Sequence, residues 1–344
     1  MKLALIAFTA RGGRLARTLA WGLEHAGHFC SLSACGRAAP ALELPDCGSL
    51  SAWTDRVFAQ VDGLVFVGAC GIAVRAIAPH VKDKFTDPAV IAVDEEGAFT
   101  VPLLSGHVGG ANDLARQVAA LTGGTAVIST ATDVNGVFAV DQWAVRQGWT
   151  VGDRALAKAV SSALLAGEPV GVASDLPVKG ALPAGLTEGP AELGLCVTWS
   201  RTRSPFFRTL RVYPKVLTVG IGCRRDTSAA ALAQAVDRAL GEAGLAAEAV
   251  KQIASIDLKA AEPGLLSFCR DRGWPLVTYP AQALAQAEGC VSPSPFVKEI
   301  TGVDNVCERA ALCGGGELLL PKQAGRGVTV AVALRPAYVA FSEE

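Results

Sequence analysis

A chain of 344 residues is longer than one compact core of roughly 100–150 residues usually spans, so two or three domains are expected. With 51% hydrophobic and 18% charged residues it has ample core material and none of the polar bias of a disordered chain. The 31 basic against 32 acidic side chains (net charge -1) and an aromatic content of 6% exclude a nucleic-acid surface as its main business.

The chain opens on a strand over residues 3–8, too short for a signal-peptide core and followed at once by Arg11 and Arg14. A helix with Leu15, Leu19 and Leu23 near helical spacing comes next. Further apolar runs at 62–67, 89–94, 100–104 and 125–130 alternate with helices over 72–81 and through Leu121. That alternation predicts an open, doubly wound, mostly parallel α/β sheet over residues 1–135. A small middle segment, 136–212, carries helices near Trp143 and over 153–165 and strand-like pieces at 170–173 and 194–199. Pro177, Pro183 and Pro190 punctuate it. A C-terminal α/β domain over 213–344 is expected from strands at 215–220, 250–254, 255–259, 276–279 and 328–334 and helices at 228–240 and 263–270. The most apolar stretch, 64–74, is broken by Gly68 and Gly71 and falls short of the roughly 20 residues a membrane span needs. The ten cysteines are scattered with no Cys-x-x-Cys pair, which predicts reduced thiols and a cytoplasmic location.

Familiar cofactor fingerprints fail. Gly220 and Gly222 follow a strand, but position 225 is Arg where a dinucleotide loop needs its third Gly. No Gly-Lys dipeptide exists for a phosphate loop, and no Gly-x-Ser-x-Gly elbow occurs. His25, His28, Cys30 and Cys35 cluster, but their spacing matches no standard zinc set. What repeats is a strand running into a Gly-rich turn that opens a helix, at 9–14, 68–75, 105–112 and 220–227. One such turn usually marks only a tight backbone. Four of them, with Arg11, Arg14, Arg75, Arg224 and Arg225 alongside, aim helix N-termini and cations at a sheet edge and suit a ligand with several carboxylates or phosphates. His107 lies in one of these turns, with Asn112 just inside the helix that it opens, and Asp133 and Asp141 come after the following strand. The alternation Ser255-Ile256-Asp257-Leu258-Lys259 predicts a strand with its three polar side chains on one face, either solvated or able to move protons, and Glu262 leads into the next turn.

The segments 71–79 (GIAVRAIAP), 83–90 (DKFTDPAV), 103–112 (LLSGHVGGAN) and 130–134 (TATDV) resemble the cobalt-precorrin-5A hydrolase family, as do 220–227 (GIGCRRDT), 255–259 (SIDLK), Glu262-Pro263, 294–297 (SPFV) and 327–330 (GVTV). The resemblance runs over essentially the whole chain. It implies an enzyme of the anaerobic route to cobalamin that opens a δ-lactone on a cobalt-bearing corrinoid and releases the methylated bridge carbon as acetaldehyde. It also implies no cofactor or metal of the protein's own, since cobalt arrives with the substrate, and a cobalt-corrinoid small molecule as partner, with room for transient contact with neighbouring pathway enzymes. Neither nucleic acid nor membrane is expected. Cys70 stands where the family often carries Thr, and Ala261 where it is often acidic; Glu308 and Arg309 are secondary candidates. The C-terminal part also resembles small stand-alone proteins that handle corrinoids, which keeps a non-catalytic carrier as the alternative; a methyltransferase of the same pathway ranks last.

On this basis His107 is the expected general base or acid, with Asp257 and Lys259 as a second proton-transfer pair or a carboxylate clamp. Backbone N–H groups at Gly109 and Gly110 are expected to stabilise the oxyanion. Gly71, Arg75, Ser105, Asn112, Asp133, Gly222, Arg224, Arg225 and Glu262 complete the expected substrate contacts, in a cleft between the first and last domains.

Overall fold

The first apolar run forms β1 (Lys2–Ala7), buried from its second residue onward, a pattern that requires cover on both faces. A computed structural model of the chain describes residues 1–36, 38–83, 86–107, 109–131, 135–289 and 302–341. These fall into two units, Met1–Val137 and Phe138–Glu344.

In the first unit β1 is followed by α1 (Ala10–His25), β2 (Phe29–Ala34), α2 (Ala38–Ala41), α3 (Leu50–Val57), β3 (Gly63–Val67), α4 (Cys70–Ile77), β4 (Ala89–Val93), β5 (Phe99–Leu104), α5 (Ala111–Thr122) and β6 (Thr125–Ala126). The sheet order is β2-β1-β3-β4-β5-β6. Alternate residues of β1 face opposite layers. Leu3 and Leu5 pack with Leu19 and Leu23 of α1 and Leu114 and Val118 of α5. Ala4 and Ile6 pack with Trp53 of α3 and Ala73 and Ile77 of α4. This is the doubly wound, mostly parallel sheet that the strand–helix alternation predicts.

β5 runs the other way, and that reversal sets where the loop after it emerges. Only residues 94–98 join β4 to β5, whereas a parallel return needs a crossover of about a dozen residues or more. The pair is therefore antiparallel, with Val93 opposite Thr100 and Val90 opposite Leu104. Asp94 fixes the turn. Its carboxylate accepts the backbone N–H groups of Glu96 (2.8 Å), Ala98 (3.3 Å) and Phe99 (2.5 Å). Burial opposes ionisation there, but those backbone donors outweigh it and hold the carboxyl below the usual aspartate range.

Two expectations for this unit need correction. The strand expected at 125–130 is only Thr125–Ala126. The cysteines are not all reduced, because Cys35 and Cys47 form a disulfide. The chain returns beside the end of β2, with Ala34 N–H donating to Pro45 O (3.0 Å) and Cys47 N–H to Ala34 O (2.8 Å), which brings the two thiols together. Cys35 is thereby removed from the His25/His28/Cys30/Cys35 cluster. The His25 ring bonds to Trp21 O and the His28 ring to Gln117. Among the described residues no group of three or more His, Cys, Asp or Glu is placed to hold a metal ion.

The second unit begins with α6 (Val140–Arg146), β7 (Thr150–Val151), α7 (Arg154–Leu165), β8 (Val170–Ser174), β9 (Val178–Lys179), β10 (Leu186–Glu188), β11 (Leu193–Val197) and β12 (Arg208–Tyr213), which build a sheet of order β10-β8-β11-β12-β7. β13 (Leu217–Cys223), α8 (Ala229–Glu242), β14 (Val250–Ile256), α9 (Pro263–Arg272), β15 (Leu276–Tyr279), α10 (Ala281–Gln286), α11 (Val306–Leu312), β16 (Glu317–Gly325) and β17 (Val328–Leu334) build another, of order β15-β14-β13-β17-β16. The last strand, β18 (Val339–Ala340), returns to pair with β9, and the Trp143 indole donates to Ala340 O (2.8 Å). No helix among the described residues is long and apolar enough to cross a membrane.

Asp94→Ala removes the acceptor of three backbone donors and is expected to cost about 1–3 kcal/mol at neutral pH, read by chemical denaturation. A carboxyl with a depressed folded pKa stabilises above its unfolded value and stops doing so as pH falls through the folded one, so the deficit must shrink in acid.

Candidate binding and active site

Strands β13 and β14 are parallel neighbours, so the loops leaving their C-terminal ends emerge at the same edge of the sheet. The antiparallel hairpin of β16 and β17 turns at that edge too, with Cys223 opposite Val328. Its two-residue turn is Arg326-Gly327, both at positive φ (49° and 82°), the backbone that a tight hairpin requires. Helix α11 lies directly on β13. A Cβ on Gly220 would stand 1.9 Å from the carbonyl oxygen of Cys307, so only glycine permits this approach. These four segments enclose a cleft of about 720 Å³.

Five expected residues meet in it: Gly222, Arg224, Arg225, Lys259 and Glu262. The predicted strand 255–259 is not one. β14 ends at Ile256, and Asp257–Lys259 form a turn of 3₁₀ helix. Ser255 is buried and donates to Ile221 O (2.7 Å), while Asp257 is exposed beside the cleft. The one-face arrangement of Ser255, Asp257 and Lys259 therefore does not occur, because the backbone leaves the extended conformation between them. Glu262 is 8% exposed and both its oxygens are engaged, Oε1 by the N–H of Asp226 (2.7 Å) and Oε2 by the Lys259 ammonium (2.8 Å). The bond from Lys259 is the main reason its carboxyl lies below the usual glutamate range; the Asp226 N–H and nearby Arg225 act in the same direction, against burial. Glu262 thus binds two loops to each other and is not available as the substrate contact the sequence suggests.

Sequence reasoning missed part of the lining. Lys322 adds a fourth cation, and Ile256, Leu258 and Val306 supply an apolar floor, Leu258 being 68% exposed. Two signals were present: the Arg326-Gly327 pair between apolar runs marks a hairpin, and Pro321 within the first run marks an irregular edge strand. Arg224 packs over the hairpin, its backbone N–H donating to Gly327 O (3.1 Å). Among the described residues the lining carries four cationic side chains and one carboxylate.

In the first unit the expected residues divide between two edges. Thr9, Arg11 and the 68–75 turn lie at the C-terminal edge of β1 and β3, where Thr9 bonds to Glu95 (2.6 Å) and Arg11 pairs with Glu96 (3.0 Å). Gly71 opens α4 there, and the exposed Arg75 folds its guanidinium back toward it. Because β5 is reversed, residues 105–112 emerge at the opposite edge, about 20 Å away along six residues of strand. The three Gly-rich turns of this unit therefore do not share one edge of its sheet. Around His107 the loop is held by its own bonds. The Ser105 hydroxyl donates to Asp87 O (2.9 Å), and the buried Asn112 amide donates to Thr130 (3.0 Å). Gly110 N–H donates to His107 O (3.0 Å), so it is not a free oxyanion donor. A Cβ on Gly109 would press on Ser105 at 2.4 Å. Ser105, Asn112, Gly109 and Gly110 shape the turn that presents His107, whose side chain is half-buried. Asp133 and the 294–297 segment lie outside the described residues.

Three family models match the chain in order: the cobalamin synthesis G N-terminal model over residues 52–133, the cobalamin biosynthesis central region over 138–214 and the cobalamin synthesis G C-terminus over 217–333. The chain belongs to the cobalamin synthesis G family. It is 36% identical over 302 residues to the cobalt-precorrin-5A hydrolase of Salmonella typhimurium LT2, covering 83% of this chain and 86% of that one. To the cobalt-precorrin-5A hydrolase of Priestia megaterium it is 34% identical over 310 residues, 84% and 83% of the two chains. A further similarity, 36% over 121 residues, links 34% of this chain to 79% of protein CobE from a Sinorhizobium species.

Replacing Glu262 with Gln leaves the Lys259 ammonium without its counter-charge and is expected to destabilise the second unit by about 3 kcal/mol at neutral pH. The folded carboxyl is depressed, so its contribution is complete above the ordinary glutamate pKa and lost as pH falls through the folded value. Denaturation curves of wild type and Glu262→Gln should therefore converge in acid.

Proposed function

We propose that this chain is a cytoplasmic hydrolase that opens the δ-lactone of cobalt-precorrin-5A and releases acetaldehyde, giving cobalt-precorrin-5B in the anaerobic, early-cobalt route to cobalamin. The relatives it matches over more than four-fifths of its length carry that activity in their names. The structural observation behind the reading is the cleft of the C-terminal sheet, where Arg224, Arg225 and Lys322 surround an apolar floor. A corrinoid precursor has the complementary chemistry: an apolar macrocycle face and a rim of acetate and propionate groups, which charge-assisted bonds from Arg and Lys hold. In this reading the protein brings no cofactor, and cobalt enters as part of the substrate.

Water adds to the acyl carbon of the lactone as the acyl–oxygen bond breaks, leaving a carboxylate and a free hydroxyl on the methylated bridge carbon. That hydroxyl loses its proton as its C–O bond becomes C=O, and the carbon–carbon bond to the macrocycle breaks with its electron pair remaining on the ring. Both stages need proton transfer. We assign it to His107, an imidazole half-buried on a loop whose bonds fix its backbone. Gly109 N–H is the remaining candidate for the developing oxyanion. Lys259, held by Glu262, faces the carboxylate rim, and the exposed Asp257 beside the cleft serves as a proton acceptor.

Anaerobic incubation with cobalt-precorrin-5A, with trapping of the aldehyde and mass measurement of the corrinoid, tests the reading. Wild type should release one acetaldehyde per corrinoid; tight binding without aldehyde would make it a carrier and overturn the assignment. His107→Ala should lower kcat by about 100-fold or more, and a variant turning over at the wild-type rate removes His107 from the chemistry. Arg224→Glu should raise KM by about tenfold or more, because a repelling charge replaces an attracting one.

A further inference from the structure

Residues 306–309 form the first turn of α11, and the structure gives Glu308 a position that the proposed chemistry leaves unused. Glu308 is 0% exposed. Its own N–H donates to the side chain of Asn305 (3.0 Å), and its Oε1 accepts the backbone N–H of Lys322 (2.8 Å). Lys322 lies where β16 loses register against β17, between Leu320 and Gln323. In an irregular edge strand a backbone N–H leaves the ladder and the side chain is turned to a new direction. Glu308 supplies the acceptor for that N–H, and the Lys322 side chain lines the cleft. This bond fixes the backbone from which the Lys322 side chain reaches the cleft, at the point where the strand itself no longer does so. Lys322 itself is half-buried, and among the described residues no carboxylate stands within ion-pair distance of its ammonium, whereas Lys259 across the cleft is paired with Glu262.

We propose that Lys322 is a specificity-determining ligand for one peripheral carboxylate of the substrate, and that Glu308 is the positioning residue that aims it. This deepens, and rests on, the reading of the C-terminal cleft as the polycarboxylate site. Anchoring Lys322 through its backbone leaves all three ammonium donors to the ligand. It also sets Lys322 apart from Arg224 and Arg225, so that the bound carboxylates must be spaced to match.

The test is a titration of the full chain with a stable cobalt corrinoid polycarboxylate, followed by absorbance, together with steady-state rates on cobalt-precorrin-5A. Lys322→Gln should weaken binding about tenfold, the loss of one charge-assisted contact, with the effect falling on KM more than on kcat. Lys322→Arg should recover most of it. Glu308→Gln should weaken binding in the wild-type background and add nothing to Lys322→Gln, because its effect passes through that lysine. Equal losses in both backgrounds would make Glu308 merely structural and overturn its positioning role. Thermal unfolding checks each variant, and the two Lys322 variants decide the ligand assignment if Glu308→Gln does not fold. If Arg224→Gln weakens binding and Lys322→Gln does not, the Lys322 inference fails while the cleft stands. If neither weakens it, the cleft reading fails and the inference with it.

Discussion

The buried carboxylate of Glu262 is the constraint on which the cleft depends. Parallel strands end at one edge, but their loops are free to diverge, and two loops rich in cations repel each other. Glu262 accepts from the Asp226 N–H in the loop after β13 and from the Lys259 ammonium in the turn after β14. One side chain thereby fixes both loops and neutralises one of the cations. Asp226 adopts a left-handed backbone (φ 61°), which a bond to its N–H helps to hold. Arg224 and Arg225, on the same loop, keep their charge for something else.

That charge acts over a short range. The Debye length is about 8 Å at physiological ionic strength, so exposed cations grip only the groups that reach them, whereas the apolar floor of Ile256, Leu258 and Val306 works by contact. A flat, partly apolar ligand with acidic arms uses both. A phosphate alone would use the cations and leave Leu258 exposed to water, and a neutral lipid would do the reverse.

Much of this was legible in the chain. Strand–helix alternation predicted the doubly wound first sheet, and Gly222, Arg224, Arg225, Lys259 and Glu262, singled out in the sequence as site residues, do line one cleft. What failed did so for identifiable reasons. The apolar run of β5 carries no mark of its direction; the mark is in the short Asp94-Glu95-Glu96-Gly97 turn, whose length forbids a crossover. Reading that turn as a mere strand ending placed His107 at the same edge as Arg75. Alternation in 255–259 suggested a strand face, yet the chain bends after Ile256, since polar spacing cannot distinguish a strand from a 3₁₀ turn over three residues. Lys322 was hidden because its tie to Glu308 depends on an irregular strand meeting a helix 14 residues away. The Cys35–Cys47 disulfide depends likewise on a chain return that no local pattern reveals.

Amide hydrogen exchange of the full chain, with and without cobalt-precorrin-5A and read peptide by peptide, addresses the central claim without altering any residue. Protection should concentrate in residues 222–227, 257–262 and 322–329, the three segments that line the cleft. Slowed exchange elsewhere, with those segments unchanged on saturation, would contradict it.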